Sequence, residues 1–148
     1  MAFRNSYFKF ILVMLVLNTN LIFSQISPDI TVIGNDLGVS TLNKKQLINY
    51  TKGEKNFWSN GKKVIISLPS TKTNLAVVIS EIIYKTNPVG MQKYWLSLVF
   101  QGRADPPMFF SSDEETIKFV QNNKGAIGFI NSKNKSQASD YLIEIKTD

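Results

Sequence analysis

The 148-residue chain contains no cysteine and no histidine. Without cysteine, no disulfide braces the fold, and neither a lipid-modified N-terminal cysteine nor a thiol nucleophile is available. Without histidine, the usual general base, zinc ligand and activator of a serine hydroxyl are missing. No Gly-x-Ser-x-Gly elbow and no Walker-type phosphate loop occurs. The sequence therefore points away from an enzyme and offers no cofactor motif and no metal site. Acidic residues are also few, 11 against 17 Lys plus Arg, for a formal charge of +6. The basic residues are scattered rather than interleaved with aromatics, which argues against nucleic-acid binding. Their excess favours anionic solutes or surfaces by long-range attraction.

A long apolar run is missing as well. Near the N-terminus Arg4 and Lys9 precede the apolar stretch 10–17, which Asn18, Thr19 and Asn20 then interrupt. That stretch is about half of the ~20 residues a membrane-crossing helix needs. The layout predicts a secretory signal over residues 1–24, cleaved between Ser24 and Gln25, with no stable membrane span after processing. Residues 25–148 then form one domain, periplasmic or secreted, of a size suited to one core. Loss of Arg4 and Lys9 lowers the formal charge from +6 to +4.

Within 25–148, short β-branched runs alternate with stretches of helical spacing, which predicts an α/β layer fold. The first strand is expected over 30–33, stopped by Gly34, Asn35 and Asp36. A loop through Gly38, Ser40 and Thr41 leads to a helix that Asn43 and Gln46 start with a capping box and Gly53 ends. The run 64–68 reads as a buried strand closed by Pro69. Leu75, Val78, Ile79, Ile82 and Ile83 then mark one face of a helix, which Asn87 and Pro88 close. A further helix begins near Gly90, with Met91, Tyr94, Trp95, Leu98 and Val99 on one side, and residues 103–107 follow as loop. Ser111 or Ser112 caps the next helix, whose acids Asp113, Glu114 and Glu115 suit the positive end of the helix dipole better than a metal ion. Lys124 and Gly125 introduce a strand over 126–130. A polar stretch over 131–140 separates it from a last strand over 141–146, with Glu144 and Lys146 outward. The aromatics Trp58, Tyr94 and Trp95 read as core.

Several of these residues stand in a family's order. Leu42, Asn43, Gln46 and Leu47, then Gly53, Trp58, Gly61 and the strand 64–68, are followed by Tyr94-Trp95, Phe100, Gly102 and Pro106-Pro107. Ser111 or Ser112, Glu115, Val120 and Gly125-Ala126-Ile127-Gly128-Phe129 complete the set. The pattern resembles the phosphate-type ABC-transporter solute-binding proteins and runs from about Asp29 to Ile145. The resemblance implies a single lobe of a periplasmic-binding-protein type II-like fold, a mixed sheet flanked by helices. Complete members clasp an anion between two such lobes, and this chain has room for one.

In complete phosphate-binding members, an Arg-x-x-Gly-Ser-Gly-Thr loop grips phosphate at a helix start. The corresponding residues here are Ser70, Thr71, Lys72 and Thr73, without the arginine or either glycine. Free backbone amides at the start of the Leu75 helix still make an anion-favourable spot, with hydroxyls from Ser70, Thr71 and Thr73 and a charge from Lys72. Alternatively, Thr73 or Asn74 merely caps its own helix and Lys72 is solvated. Asn35 and Ser40, after the first strand, are expected at the same sheet edge, as are Ser111 and Ser112 with the Gly125 backbone. All of these residue types also serve turns and caps for local reasons. Two functions follow. One is a non-catalytic solute-binding domain for phosphate or a similar oxyanion, feeding an ABC transporter. The other is a lobe that has lost its ligand and docks on a membrane transporter or sensor protein.

Overall fold

The computed structural model describes residues 29–146. The expected signal over 1–24 and its cleavage position lie outside the described residues. The elements in chain order are β1 (Ile30–Gly34), β2 (Thr41–Asn43), α1 (Lys44–Thr51), β3 (Ile65–Pro69), α2 (Asn74–Tyr84) and α3 (Pro88–Phe100). They continue with β4 (Met108–Phe110), α4 (Asp113–Asn122), β5 (Ala126–Asn131), a 3-10 segment (Ser132–Tyr141) and β6 (Leu142–Lys146). The strands make one sheet in the order β2-β6-β1-β5-β3-β4. β3 runs parallel to β4 and β5, and β2 parallel to β6, whereas β1 is antiparallel to both of its neighbours, β5 and β6.

Strand β5 is apolar on both sides because helices cover both faces of the sheet. Its side chains alternate as a strand requires. Ile127 and Phe129 join a core built with Leu47 of α1, Ile79 of α2 and Trp95 of α3. Ala126 and Ile130 join a second core with Ile117 and Val120 of α4 and Ala138 of the 3-10 segment. Full burial of a side chain such as Ile127 stabilises the fold by about 2 kcal/mol.

The helix limits have local causes. Asn43 and Gln46 close a reciprocal capping box at 2.8 and 2.9 Å, and Leu42 and Leu47 on either side of it are both buried. At the other end of α1, Gly53 has φ +70°, its amide donates to the Tyr50 carbonyl, and the Glu54 amide donates to that of Asn49. This pair of bonds is a Schellman turn, which favours glycine. Helix α2 stops at Tyr84 with Lys85 left-handed. Asn87 caps α3 and Pro88 takes its first position, so α3 starts two residues earlier than Gly90. Proline fits there because the first amide of a helix has no intrahelical partner.

Buried hydroxyls and indoles tie these helices together. The Tyr84 hydroxyl donates to the Thr51 carbonyl at 2.7 Å and accepts from Trp95 Nε1 at 2.8 Å. Burial pushes the Tyr84 phenol well above its ordinary range, outweighing the opposing effect of the Trp95 hydrogen bond. Trp58 stacks on Tyr50 with ring centroids 4.0 Å apart and donates to the Gly125 carbonyl at 2.8 Å. Trp58 and Trp95 are both buried, so these two tryptophans belong to the core.

The direction of β1 corrects one expectation. Because β1 is antiparallel to β5, the loop that leaves it lies at the edge where β5 begins. Asn35 and Gly125 meet there, the Gly125 amide donating to the Asn35 carbonyl and the Asn35 amide to the Ala126 carbonyl. They sit at the amino edge of β3 and β5, at the opposite end of the sheet from Thr73.

Candidate functional site

At the carboxyl edge, the ends of β3, β4 and β5 surround a cavity of about 490 Å³. Thr73, Asn74 and Leu75 enter it from the start of α2, and Ser111, Ser112 and Asp113 from the start of α4. Parallel strands bring these two helix starts together, since each strand delivers its following turn to the same edge. The Ser70 amide fixes the two turns to each other by donating to the Phe110 carbonyl at 2.7 Å.

The two helix starts are furnished differently. At α4, Ser112 and Glu115 form a reciprocal capping box, and Glu115 Oε2 accepts from the amides of both Ser111 and Ser112. Asp113 accepts from the Asn131 amide at 2.9 Å, from Asn131 Nδ2, and from Asn134 Nδ2 at 2.6 Å. The acids expected to serve the helix dipole do so, and Asp113 also ties the end of β5 and the 3-10 segment to α4.

The first turn of α2 carries no acid. Thr73 Oγ1 accepts from the Ala76 amide at 3.1 Å and donates to the Ser70 carbonyl at 2.9 Å. Among the described residues nothing accepts from the amides of Asn74 and Leu75. The cap reading of Thr73 and the open-amide reading therefore coexist, because one side chain satisfies a single amide of the turn.

Of the residues named from sequence, Thr73, Ser111 and Ser112 share this cavity. Ser70, Thr71 and Lys72 stand in the adjoining turn and do not line it, and Lys72 is exposed. Asn35 is a fastener at the other edge, donating through Nδ2 to the carbonyls of Val120 and Gln121 at 2.9 and 3.0 Å. Gly125 has φ +87°, and a Cβ there would collide with the Lys63 carbonyl, so its glycine meets a backbone requirement. Ser40 lies by β6, its carbonyl accepting from the Glu144 amide at 3.0 Å.

Sequence reasoning missed Asn74, Asn131, Lys133 and Asn134, which also line the cavity. The available signal was position, because residues that follow a strand parallel to β3 must reach the same edge. Lys133 and Asp113 with Glu114 are the charged residues in the lining, so the wall carries a formal charge of −1.

No protein-family model and no curated protein matches the sequence. Solved structures do match. PstS from Borrelia burgdorferi has a TM-score of 0.61 at 12% identity over 80% of this chain and 47% of its own. A possible phosphate binding protein from Planctomyces limnophilus gives 0.56 at 14% identity, over 80% of this chain and 41% of its own. An ABC-type phosphate transport receptor from Vibrio cholerae gives 0.53 at 17% identity, over 79% and 46%. The chain thus spans less than half the length of each. The likeness shows the fold, a single lobe of a periplasmic-binding-protein type II-like architecture. No helix among the described residues is long and apolar enough to cross a membrane.

Proposed function

We propose that the chain is an exported, non-catalytic solute-binding domain that takes phosphate or a similar oxyanion at the carboxyl-edge cavity. The observation that carries this reading is the acid-free start of α2, whose Asn74 and Leu75 amides have no acceptor among the described residues. It shares the cavity with the hydroxyl-bearing residues Thr73, Ser111 and Ser112. Amides and a helix dipole favour negative charge, and the solved proteins of similar fold include a possible phosphate binding protein and an ABC-type phosphate transport receptor. The Asp113 carboxylate is held by Asn131 and Asn134, and Lys133 supplies a positive charge. Without an arginine fork, selectivity among oxyanions is weak. One lobe by itself covers one side of a ligand, so its affinity is modest unless a second chain completes the site. In the cell such a domain works in the periplasm or outside it and hands its anion to a membrane transporter.

Asp113 and Glu114 at the cavity wall favour a second reading, in which the lobe keeps the fold without the ligand and serves as an interaction module for a transporter or sensor. A thermal-shift series with phosphate, sulfate, molybdate and chloride at matched ionic strength separates the two. An oxyanion at a hundred times its Kd stabilises the native state by about 2.7 kcal/mol. A rise in midpoint with oxyanions over chloride supports capture, and a flat response to all four leaves the interaction module.

A further inference from the structure

A second concavity, of about 510 Å³, opens at the amino edge beside the start of β3. Trp95, Val99 and Ile66 contribute apolar surface, and Lys55, Lys63 and Arg103 the positive charge. The single acid in the lining, Asp105, pairs with Lys63. Lys55 and Arg103 have no carboxylate partner among the described residues. The Lys55 ammonium lies 5.6 Å from the centre of the Tyr50 ring, and Arg103 reaches only Gln101 Oε1, at 3.5 Å.

A further observation singles out this groove. Phe57, which lines it, is 61% exposed. An aromatic left in water beside arginine has the composition of a protein interface rather than of ordinary surface.

We propose that this groove docks an acidic segment of a partner protein. An apolar side chain of that segment sits against Val99 and Phe57, and its carboxylates meet Lys55 and Arg103. A bilayer is too flat to enter the concavity, and two free cations are too few for the run of phosphate contacts on which nucleic-acid affinity depends. The proposal concerns the sheet edge opposite the oxyanion cavity and stands or falls independently of it.

The test uses the whole protein and a fluorescein-labelled peptide of alternating Glu and Leu, read by anisotropy at low ionic strength. A peptide with Lys in place of Glu, phosphatidylglycerol vesicles and a thymidine oligonucleotide are run in parallel. The acidic peptide binds and the lysine peptide does not. Because the charged groups are exposed, the double variant Lys55→Glu/Arg103→Glu keeps the native circular dichroism and weakens binding by about tenfold or more. Phe57→Ser weakens it less. The proposal is overturned if the acidic peptide fails to bind, if the double variant binds it equally well, or if vesicles or oligonucleotide bind through Lys55 and Arg103 in its place.

Discussion

At the carboxyl edge the polar groups largely answer one another. Asp113 is engaged by Asn131 and Asn134, Glu115 by the Ser111 and Ser112 amides, and Thr73 by Ala76, which leaves two amides of α2 without a partner among the described residues. At the amino edge, by contrast, Lys55 and Arg103 have no carboxylate partner among the described residues, the Asp105 carboxylate being paired with Lys63. One edge has the topology of a ligand site with its own acids already in place, and the other has free positive charge where α/β sheets do not usually bind ligands. Strand direction fixes where turns converge, whereas net charge says nothing about which edge receives it. The +6 of the sequence therefore cannot be assigned to a site without the fold.

The contrast can be pressed in order of expected effect. Trp95 belongs to the amino-edge wall and also to the core, so Trp95→Ala should destabilise the protein by about 3–5 kcal/mol in a urea titration. Loss of less than about 1 kcal/mol would mean that the groove is separable from the core. At the other edge, Asp113→Ala leaves Asn131 and Asn134 without their acceptor and should cost about 1–3 kcal/mol. Asp113→Asn should steepen the thermal response to phosphate, because it removes a negative charge from the cavity wall. An unchanged response would separate Asp113 from the anion site. The smallest effects belong to the lysines. Lys72→Ala should change stability by no more than about 0.5 kcal/mol and reduce the oxyanion response less than Lys133→Ala, since Lys133 lines the cavity and Lys72 does not. The reverse order would move the site into the turn at Ser70.

Much of this architecture could be read before the fold was seen, because it is written in local periodicity and caps. The boundaries of α1 follow from Asn43, Gln46 and Gly53, the long strand β5 from its apolar run, and the α4 start from Ser112 and Glu115. Strands β2 and β4 escaped, since three residues such as Met108-Phe109-Phe110 are too few to show a period. The 3-10 segment over 132–141 looked like loop because its residues are polar and only Ala138 is buried. The site was half legible. Thr73, Ser111 and Ser112 follow parallel strands and converge as expected. Asn35 is expected with them only if β1 is parallel too, and strand direction depends on long-range pairing that no local pattern records, whereas Gly125 precedes a strand parallel to β3 and so lies at its amino edge.

The reversal of β1 has a practical consequence. Ile30 pairs with Asn131 at the carboxyl end of β5, and Lys146 pairs with Asn43 at the far end of β6. Both ends of the described polypeptide therefore leave the sheet on the side of the cavity. A bulky group attached at Ile30 or Lys146 is therefore delivered to the edge that holds Thr73 and Ser112. The face bearing Lys55 and Arg103 stays clear, so immobilised protein reports faithfully on one edge only.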